Sequence, residues 1–323
     1  WGLLASGCAT ASAVQAPAAL PTPTAVQAGG DPPPAATPAP SPTATPQRSS
    51  ERSTYGTAGP AGVTAAAYVV MEGATGAVLL EHNAQEHRSP ASTTKIMTAM
   101  LVLDSGSAQD QMLTAEATDL RDPNVLPMKL KAGMSLSRAD WLALMLIPSS
   151  NQAANVLARH FPGGEKAFYA AAQRKIQALG MRSMQFVSPS GVDEANAASA
   201  RDIALLLKAA ASYPDIRRLT TTPELVLNLQ GKPQTFQHSN QLVGDRDWQL
   251  TVTKTGYSRK AGRCLSMMTS LNGRRVLIVL MHADSAEQRT DDARQILQQL
   301  QKSPVLPQGA TMATQTLTTM PVS

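Results

Sequence analysis

The chain has 323 residues, enough for one large domain or two small ones, and its 43% of apolar residues can fill a substantial core. The formal net charge of +5 is mildly basic, but the basic residues are dispersed and aromatic residues make up 4% of the chain. This pattern argues against a nucleic-acid partner and suits an anionic polymer. Two cysteines, Cys8 and Cys264, imply no disulfide framework, and we interpret Cys264 as a small core residue. The histidines show no metal-ligand spacing, so we predict no metal and no cofactor.

The first 13 residues have the character of the end of an export signal. The run Leu-Ala-Ser-Gly-Cys8 resembles a bacterial lipoprotein box, which would attach a lipid anchor to Cys8. The leucine stands one place too early for that box, and Ala11-Ser12-Ala13 offers an ordinary small-residue cleavage site, which we favour. Both interpretations predict export to the periplasm.

Composition divides the remainder of the chain. Residues 14–62 are rich in Pro, Ala, Thr and Ser, and we expect a disordered linker because such a segment cannot offset the entropy cost of ordering. Residues 63–303 form the predicted catalytic domain, and residues 304–323 a polar disordered tail. No later stretch offers the roughly 20 successive apolar residues of a membrane span.

The predicted domain begins with a strand pair followed by helices. Strands are expected at residues 66–71 and 77–80, on either side of a glycine-rich turn. A helix entered just after Pro90 contains Ser92 and runs to about Asp104. After a loop-like stretch, Ser135 is expected to cap the next helix. Further helices are predicted over residues 152–159, 165–179 and 199–213.

The C-terminal part is predicted to return to strands. After a stretch of irregular strand and loop at 219–247, we expect strands at 248–257, 263–270 and 275–282, the last two joined by Asn272-Gly273, a strong hairpin signal. A final helix should end at about Lys302. The order predicts an α+β fold with an antiparallel five-stranded sheet interrupted by a helical block.

Ser92 and Lys95 form the first candidate functional group. Residues three apart share a helix face, so the hydroxyl of Ser92 can meet the amine of Lys95 as nucleophile and base. The alternative is a capping serine beside a solvated lysine. Ser-x-x-Lys alone is a weak signal.

Two further motifs follow in a fixed order. Ser149-x-Asn151 lies in a short junction between two predicted helices, where the alternative is again a helix cap. Lys254-Thr255-Gly256 ends a predicted strand. Together with Ser92-x-x-Lys95 they make the combination typical of β-lactamases and penicillin-binding proteins. Three chance matches in that order are improbable.

With these motifs, the chain resembles the low-molecular-mass penicillin-binding proteins of the D-alanyl-D-alanine peptidase family, serine peptidase S11. The resemblance extends over about residues 63–303 and includes a Pro-Ser-Gly loop within Phe186–Asn196. The segments Phe236–Val243 and Lys254–Leu265 are similar to the DD-endopeptidase branch, penicillin-binding protein 7. The resemblance implies a β-lactamase/transpeptidase-like fold, peptidoglycan stem peptides as substrate, and β-lactam antibiotics as acylating inhibitors.

The remaining candidate residues have roles that depend on this chemistry. Ser149 and Asn151 are expected to relay a proton and to bind the substrate amide, and Lys254 and Thr255 to bind a substrate carboxylate. Gly256 is expected to leave room for the substrate along its strand.

The resemblance adds two further expectations. The N–H groups of Ser92 and Tyr257 would form the oxyanion hole. Arg289 would bind the substrate carboxylate, the alternative being a surface arginine on the last helix.

Other functions share these motifs. A carboxypeptidase trimming terminal D-Ala differs from an endopeptidase in groove shape, which sequence leaves open. A serine β-lactamase would need a Glu-x-x-Leu-Asn loop, and Glu224–Asn228 has similar letters but lies too close to Lys254. A non-catalytic penicillin-binding sensor is disfavoured because both Ser92 and Lys95 are present.

Overall fold

The computed structural model describes residues 62–121 and 130–302. The predicted signal remnant, nearly all of the linker, the tail and Cys8 lie outside the described residues. The described strands are β1 (Ala67–Glu72), β2 (Val78–His82), β3 (Met112–Thr114), β4 (Ser135–Ser137), β5 (Glu224–Leu229), β6 (Lys232–Gln237), β7 (Leu250–Ser258), β8 (Gly262–Leu271) and β9 (Arg274–Ala283). The described helices are α1 (Lys95–Asp104), α2 (Arg138–Leu146), α3 (Asn151–Arg159), α4 (Gly164–Ala178), α5 (Ala200–Ala210), α6 (Pro214–Thr220) and α7 (Ala286–Lys302), and a 3₁₀ turn over Ala91–Thr94 precedes α1.

Five strands form one antiparallel sheet in the order β2-β1-β9-β8-β7. The chain therefore begins in one half of the sheet, leaves it for the helical block, and completes it with the last three strands. This confirms the predicted α+β architecture. It also puts β7, which carries Lys254-Thr255-Gly256, at an edge, where other groups can approach its free side.

Apolar side chains fill both faces of the sheet. Along β1, Ala67, Val69 and Met71 pack into the core shared with the helical block, whereas Tyr68 and Val70 pack into the core that includes α7. Successive residues of a strand point to opposite faces, so all six residues of β1 are buried.

Helix α1 is the centre of the helical block. It packs against α2, α3, α4 and α5, and its first eight residues, Lys95–Val102, are all buried. A helix enclosed on every side must be apolar on every side, which the run Ile96–Val102 nearly achieves. The same enclosure carries Lys95 into the interior.

One local prediction was wrong because a short-range pattern was misassigned. Ser135 lies in β4, whose pairing with β3 buries Leu113 and Leu136, and Ser137 caps α2 instead by accepting from the N–H of Asp140 at 3.1 Å. Beyond α5, Pro214 starts helix α6, since a proline at the first helical position needs no N–H acceptor. The stretch 219–247, expected to be strand and loop, contains the β5–β6 hairpin.

The described N-terminal residues are attached to the last helix. The N–H groups of Thr64 and Ala65 donate to the buried carboxylate of Asp292 at 2.9 and 2.8 Å. These contacts are consistent with a domain starting near residue 63, although the predicted boundaries stay predictions. Among the described helices, none has the length and apolarity required to cross a bilayer.

Candidate active site

Ser92 and Lys95 meet as their spacing predicted. Lys95 Nζ lies 2.7 Å from Ser92 Oγ, and the lysine is 0% exposed. Nζ also donates to Asn151 Oδ1 at 2.6 Å and to the main-chain oxygen of Ser190 at 2.8 Å. Groups from three points of the chain, Ser92, Asn151 and Ser190, therefore bind one buried amine. The alternative of a capping serine beside a solvated lysine is wrong.

Ser92 itself lies in the 3₁₀ turn Ala91–Thr94, just ahead of α1. No side chain caps either the turn or the helix. Ala91 has a φ of 46° although it carries a Cβ, and it is fully buried. Such a conformation costs about 1–3 kcal/mol and persists only where the surroundings impose it.

Two glycines supply these surroundings by letting other backbone approach the turn. A Cβ on Gly256 would lie 2.9 Å from the oxygen of Pro90 and 3.1 Å from the N of Ser92. A Cβ on Gly191 would lie 2.0 Å from the oxygen of Ala91. We expected Gly256 to make room for substrate, but the space is taken by the protein's own nucleophile turn.

Ser149 and Asn151 lie at the α2–α3 junction, as predicted. The capping role belongs to the residue between them, because Ser150 Oγ accepts from the N–H of Ala153 at 3.1 Å. Ser149 has a φ of 71° and lines the cleft, and Asn151 reaches Lys95. The alternative of caps at Ser149 and Asn151 is therefore wrong.

Lys254 and Thr255 lie on β7 beside Ser239. Lys254 Nζ is 3.3 Å from Ser239 Oγ, and Thr255 Oγ1 is 2.9 Å from the same atom. Lys254 is completely buried, and this burial, followed by repulsion from Arg289, lowers its pKa from 10.5 to about 7. The amine therefore changes charge close to neutral pH.

Arg289 is on α7 as predicted, but it is not a surface residue. It lines the cleft with 5% exposure, and its Nε has no hydrogen-bond partner among the described residues. Burial and then the nearby Arg263 lower its pKa from 12.5 to about 10, so it stays charged at neutral pH. A buried cation that forms no ion pair within 4 Å with the described residues is a ready binding group for a carboxylate.

One cleft of about 960 Å³ is lined by Ser92, Ser149, Asn151, Thr255 and Arg289. One wall is β7, from Thr255 to Ser258, and the other includes the α2–α3 junction. Residues 234–237 of β6 also line the cleft, and the lining residue Tyr257 has 54% of its surface exposed. A cleft of about 960 Å³ has room for a peptide rather than a single amino acid.

Sequence reasoning assigned no role to three groups that the fold brings here. Ser239 bridges Lys254 and Thr255, and the oxygen of Ser190 holds Lys95. His238 is partly buried close to Lys254, and this burial, followed by the neighbouring charge, lowers its pKa from 6.5 to about 4. All three lie in segments that resemble the family, Phe186–Asn196 and Phe236–Val243, but only the folded chain shows what they touch.

The Glu224–Asn228 stretch does not join the site. It forms most of β5, where Glu224 accepts a hydrogen bond from Gln237 at 3.1 Å, and neither Glu224 nor Asn228 is among the described residues lining the cleft. The geometry of a deacylating glutamate loop is therefore not found here.

Comparison with known proteins agrees with this fold. Residues 54–285 match the peptidase S11 family, described as D-alanyl-D-alanine carboxypeptidase. The chain belongs to this family of serine peptidases.

Two curated relatives and one solved structure are similar to most of this chain. A D-alanyl-D-alanine endopeptidase of Pseudomonas aeruginosa is 37% identical over 211 residues, covering 65% of this chain and 68% of that protein. A D-alanyl-D-alanine endopeptidase of Escherichia coli K12 is 33% identical over 264 residues, covering 81% and 85%. The cefotaxime-bound structure of penicillin-binding protein D2 from Listeria monocytogenes is 28% identical, with a TM-score of 0.65 and coverage of 72% and 96%.

Proposed function

We propose that this protein is a serine D-alanyl-D-alanine endopeptidase that cleaves peptidoglycan cross-links through an acyl-enzyme on Ser92, and that penicillins acylate the same residue. The observation that carries the proposal is the buried Lys95 amine 2.7 Å from the Ser92 hydroxyl at the base of a peptide-sized cleft. A serine needs an adjacent base to attack an amide, and this geometry supplies one.

In the acylation step, Ser92 Oγ attacks the carbonyl carbon of a D-alanyl residue while its proton passes to Lys95 Nζ. The negative charge that develops on the carbonyl oxygen is bound by the N–H groups of Ser92 and Tyr257, each worth about 3–4 kcal/mol in such sites. The C–N bond then breaks, and the leaving amine takes a proton delivered from Lys95 through Ser149. Asn151 holds Lys95 and the substrate amide in place.

In the deacylation step, water attacks the ester on Ser92. Its proton goes to the base and then to Ser92 Oγ, so the serine is restored and a free D-alanyl carboxylate is released. General-base assistance of this kind is typically worth about 10²–10⁴ in rate.

Binding uses the cationic end of the cleft. Lys254, Thr255 and Arg289 bind the carboxylate next to the scissile amide, which orients the carbonyl against Ser92. The unpartnered Nε of Arg289 supports this assignment, because a buried guanidinium gains most when a carboxylate reaches it.

Two observations favour an endopeptidase over a carboxypeptidase. The two relatives with 37% and 33% identity are both named D-alanyl-D-alanine endopeptidases. Residues 234–237 of β6 and Ser239 also line the cleft, whose volume of about 960 Å³ leaves room for a leaving group larger than one alanine. The family description itself supports carboxypeptidase activity as the second candidate.

Digestion of purified sacculi tests the proposal. The wild-type protein should convert cross-linked dimers into monomers, separated by chromatography, and Ser92→Ala should do so at least about 10³-fold more slowly because the nucleophile is lost. Loss of terminal D-Ala without loss of dimers would identify a carboxypeptidase. Unchanged release of monomers by Ser92→Ala would contradict the proposal.

The same protein should bind penicillin tightly and release it slowly. A labelled penicillin bound to Ser92 should persist long enough for detection after gel electrophoresis, and Ser92→Ala should remain unlabelled. Rapid penicillin turnover would instead indicate a β-lactamase. We place the protein in the periplasm, exported by cleavage at Ala11-Ser12-Ala13, with a lipid anchor on Cys8 as the alternative.

A further inference from the structure

The cleft carries more positive charge than one substrate carboxylate requires. Arg259, Arg263 and Arg289 line it, whereas no Asp or Glu is among its described lining residues. None of the three guanidinium groups makes an ion pair within 4 Å, or a side-chain hydrogen bond, with the described residues. Such a wall favours ligands with more than one negative group.

Arg263 is the best positioned of the surplus charges. Its guanidinium carbon lies 3.8 Å from the centre of the Tyr257 ring, and the two residues are paired across β7 and β8. Stacking on an aromatic ring fixes the plane of the guanidinium while leaving its edge N–H groups free. A cation that is already ordered loses little entropy when a carboxylate binds.

Nearby acidic groups do not neutralise this arginine. Glu287, in the first turn of α7, is the acidic side chain that interacts electrostatically with both Arg263 and Arg289. Hydrogen bonds with its own backbone and with Ser285 come first among the causes that lower its pKa, ahead of the two arginines. It forms no ion pair with either, so both guanidinium groups keep their free edges.

The register of β7 indicates which part of a substrate Arg263 meets. Thr255 lies at the proposed carboxylate site, and the next residue, Gly256, lies against the N of Ser92, where the reacting carbonyl must be. A substrate lying along β7 therefore directs its acyl side towards Tyr257 and the stacked Arg263. The leaving side lies in the opposite direction.

We propose that Arg263, held against Tyr257, binds a second substrate carboxylate, located on the acyl-side peptide. This rests on the proposed function and makes it more specific: the substrate is a peptide with one carboxylate beside the scissile amide and another on the residues that precede it. Arg263 is then a specificity-determining residue for acidic acyl chains.

Two synthetic cross-link mimics test this. In each, D-Ala is joined through the scissile amide to a D-amino acid that has a free carboxylate and belongs to a longer leaving peptide; one mimic has a free acyl-side carboxylate, and the other has that carboxylate amidated. The wild-type protein should prefer the free acid by roughly tenfold or more in kcat/KM, as expected for one charge-assisted contact. Arg263→Gln should lose this preference while cleaving the amidated peptide at nearly the wild-type rate. Arg259→Gln removes an equal charge from the same cleft wall and should retain most of the preference.

Acylation by benzylpenicillin, which lacks an acyl-side carboxylate, separates the two proposals. It should proceed at similar rates in wild type and Arg263→Gln. Equal cleavage of both peptides by a wild-type protein that reacts with penicillin would overturn the role of Arg263 and leave the proposed function standing. A parallel loss of penicillin acylation and of amidated-peptide cleavage in Arg263→Gln would show a structural role and also overturn it. A wild-type protein inert to both peptides and to penicillin would overturn the proposed function and this inference with it.

Discussion

The site contains two fully buried lysines that are held in different ways. Lys95 donates to Ser92, Asn151 and Ser190 over distances of 2.6–2.8 Å. Lys254 has longer contacts, 3.3 Å to Ser239 Oγ and 3.4 Å to the oxygen of Thr255. Its pKa of about 7 follows from burial first and from Arg289 second. Lys95, with the shorter hydrogen bonds, is adjacent to the nucleophile. Lys254, with the longer contacts, lies where a substrate carboxylate would give it a further hydrogen bond.

At the residue scale, Gly256→Ala should impair catalysis out of proportion to its effect on stability. The added methyl would meet Pro90, Ala91 and Ser92 at 2.9–3.1 Å and displace the nucleophile turn. We expect penicillin acylation to fall by about 10² or more, since small displacements of reacting groups have costs of that order. Stopped-flow or labelled-penicillin kinetics measure it.

Gly73→Ala is the matched control. Its added methyl would meet Cβ of Arg275 at 2.8 Å and the oxygen of Arg275 at 2.9 Å, but Gly73 lies between β1 and β2 and does not line the cleft. It should lower the melting temperature comparably and leave the acylation rate of the folded protein near that of wild type. Normal acylation in Gly256→Ala would contradict the role given to the glycine.

At the element scale, the site is assembled from ends and edges of structure. Ser92 precedes α1, Asn151 begins α3, and Thr255 lies on the edge strand β7. Each element is anchored by its own core packing, so the side chains at its end are fixed with little freedom. The β5–β6 hairpin adds a wall to the cleft and projects Val226 into solvent with 57% exposure.

Loss of the Ser150 cap of α3 should slow acylation of Ser92, because the next residue is Asn151, which contacts Lys95. Ser150→Ala removes the hydroxyl that accepts from the N–H of Ala153 and should cost about 1 kcal/mol of unfolding free energy. The freed first turn would let Asn151 move away from Lys95. We therefore expect slower acylation as well, measured alongside urea unfolding.

Ser199→Ala provides the comparison for that variant. Ser199 is equally buried and caps α5 through the N–H of Asp202 at 3.1 Å, but it does not line the cleft. A similar loss of stability with unchanged acylation is expected. If both variants acylate at the same rate, the α3 cap does not position Asn151.

At the scale of the whole molecule, burying ionisable groups makes stability depend on pH. His238 has a pKa of about 4 in the folded protein against 6.5 normally, and Lys254 about 7 against 10.5. At a pH between its folded and unfolded pKa values, each group is protonated in the unfolded chain and deprotonated in the folded chain. The free energy of unfolding therefore rises with pH between about 4 and 6.5, and again from about 7 upwards.

The pH range above 7 tests how the burial of Lys254 affects stability. Burying this lysine lowers the free energy of unfolding by its full amount at and below about pH 7. This destabilisation decreases as the pH rises towards 10.5, where the unfolded chain also loses the proton. Cys264, whose buried thiol has its pKa raised from 9.0 to about 11, has the opposite effect above pH 9. Between pH 7 and 9 we expect urea unfolding to show a gain of about 2 kcal/mol.

Lys254→Met should abolish most of that gain, because the titrating group is gone. Lys232→Met, which removes an exposed lysine from β6, should keep it. Equal pH profiles for wild type and Lys254→Met would contradict the buried-lysine explanation.

Several features were determined by the sequence alone because they depend on neighbours along the chain. The three-residue spacing of Ser92 and Lys95, the strand pair around a glycine-rich turn, and the Asn272-Gly273 hairpin each follow from local geometry. The order of the three motifs predicted the family, and the order of the predicted strands and helices predicted the five-stranded sheet.

Only the tertiary structure decided which distant groups meet. Asn151 lies 56 residues from Lys95 in sequence, and the oxygen of Ser190 lies 95 away, yet both touch the same amine. The burial of Arg289, the stacking of Arg263 on Tyr257, and the packing of Gly256 against the Ser92 turn also depend on elements remote in the chain. Burial and close approach come from long-range packing, which no local pattern of residues encodes.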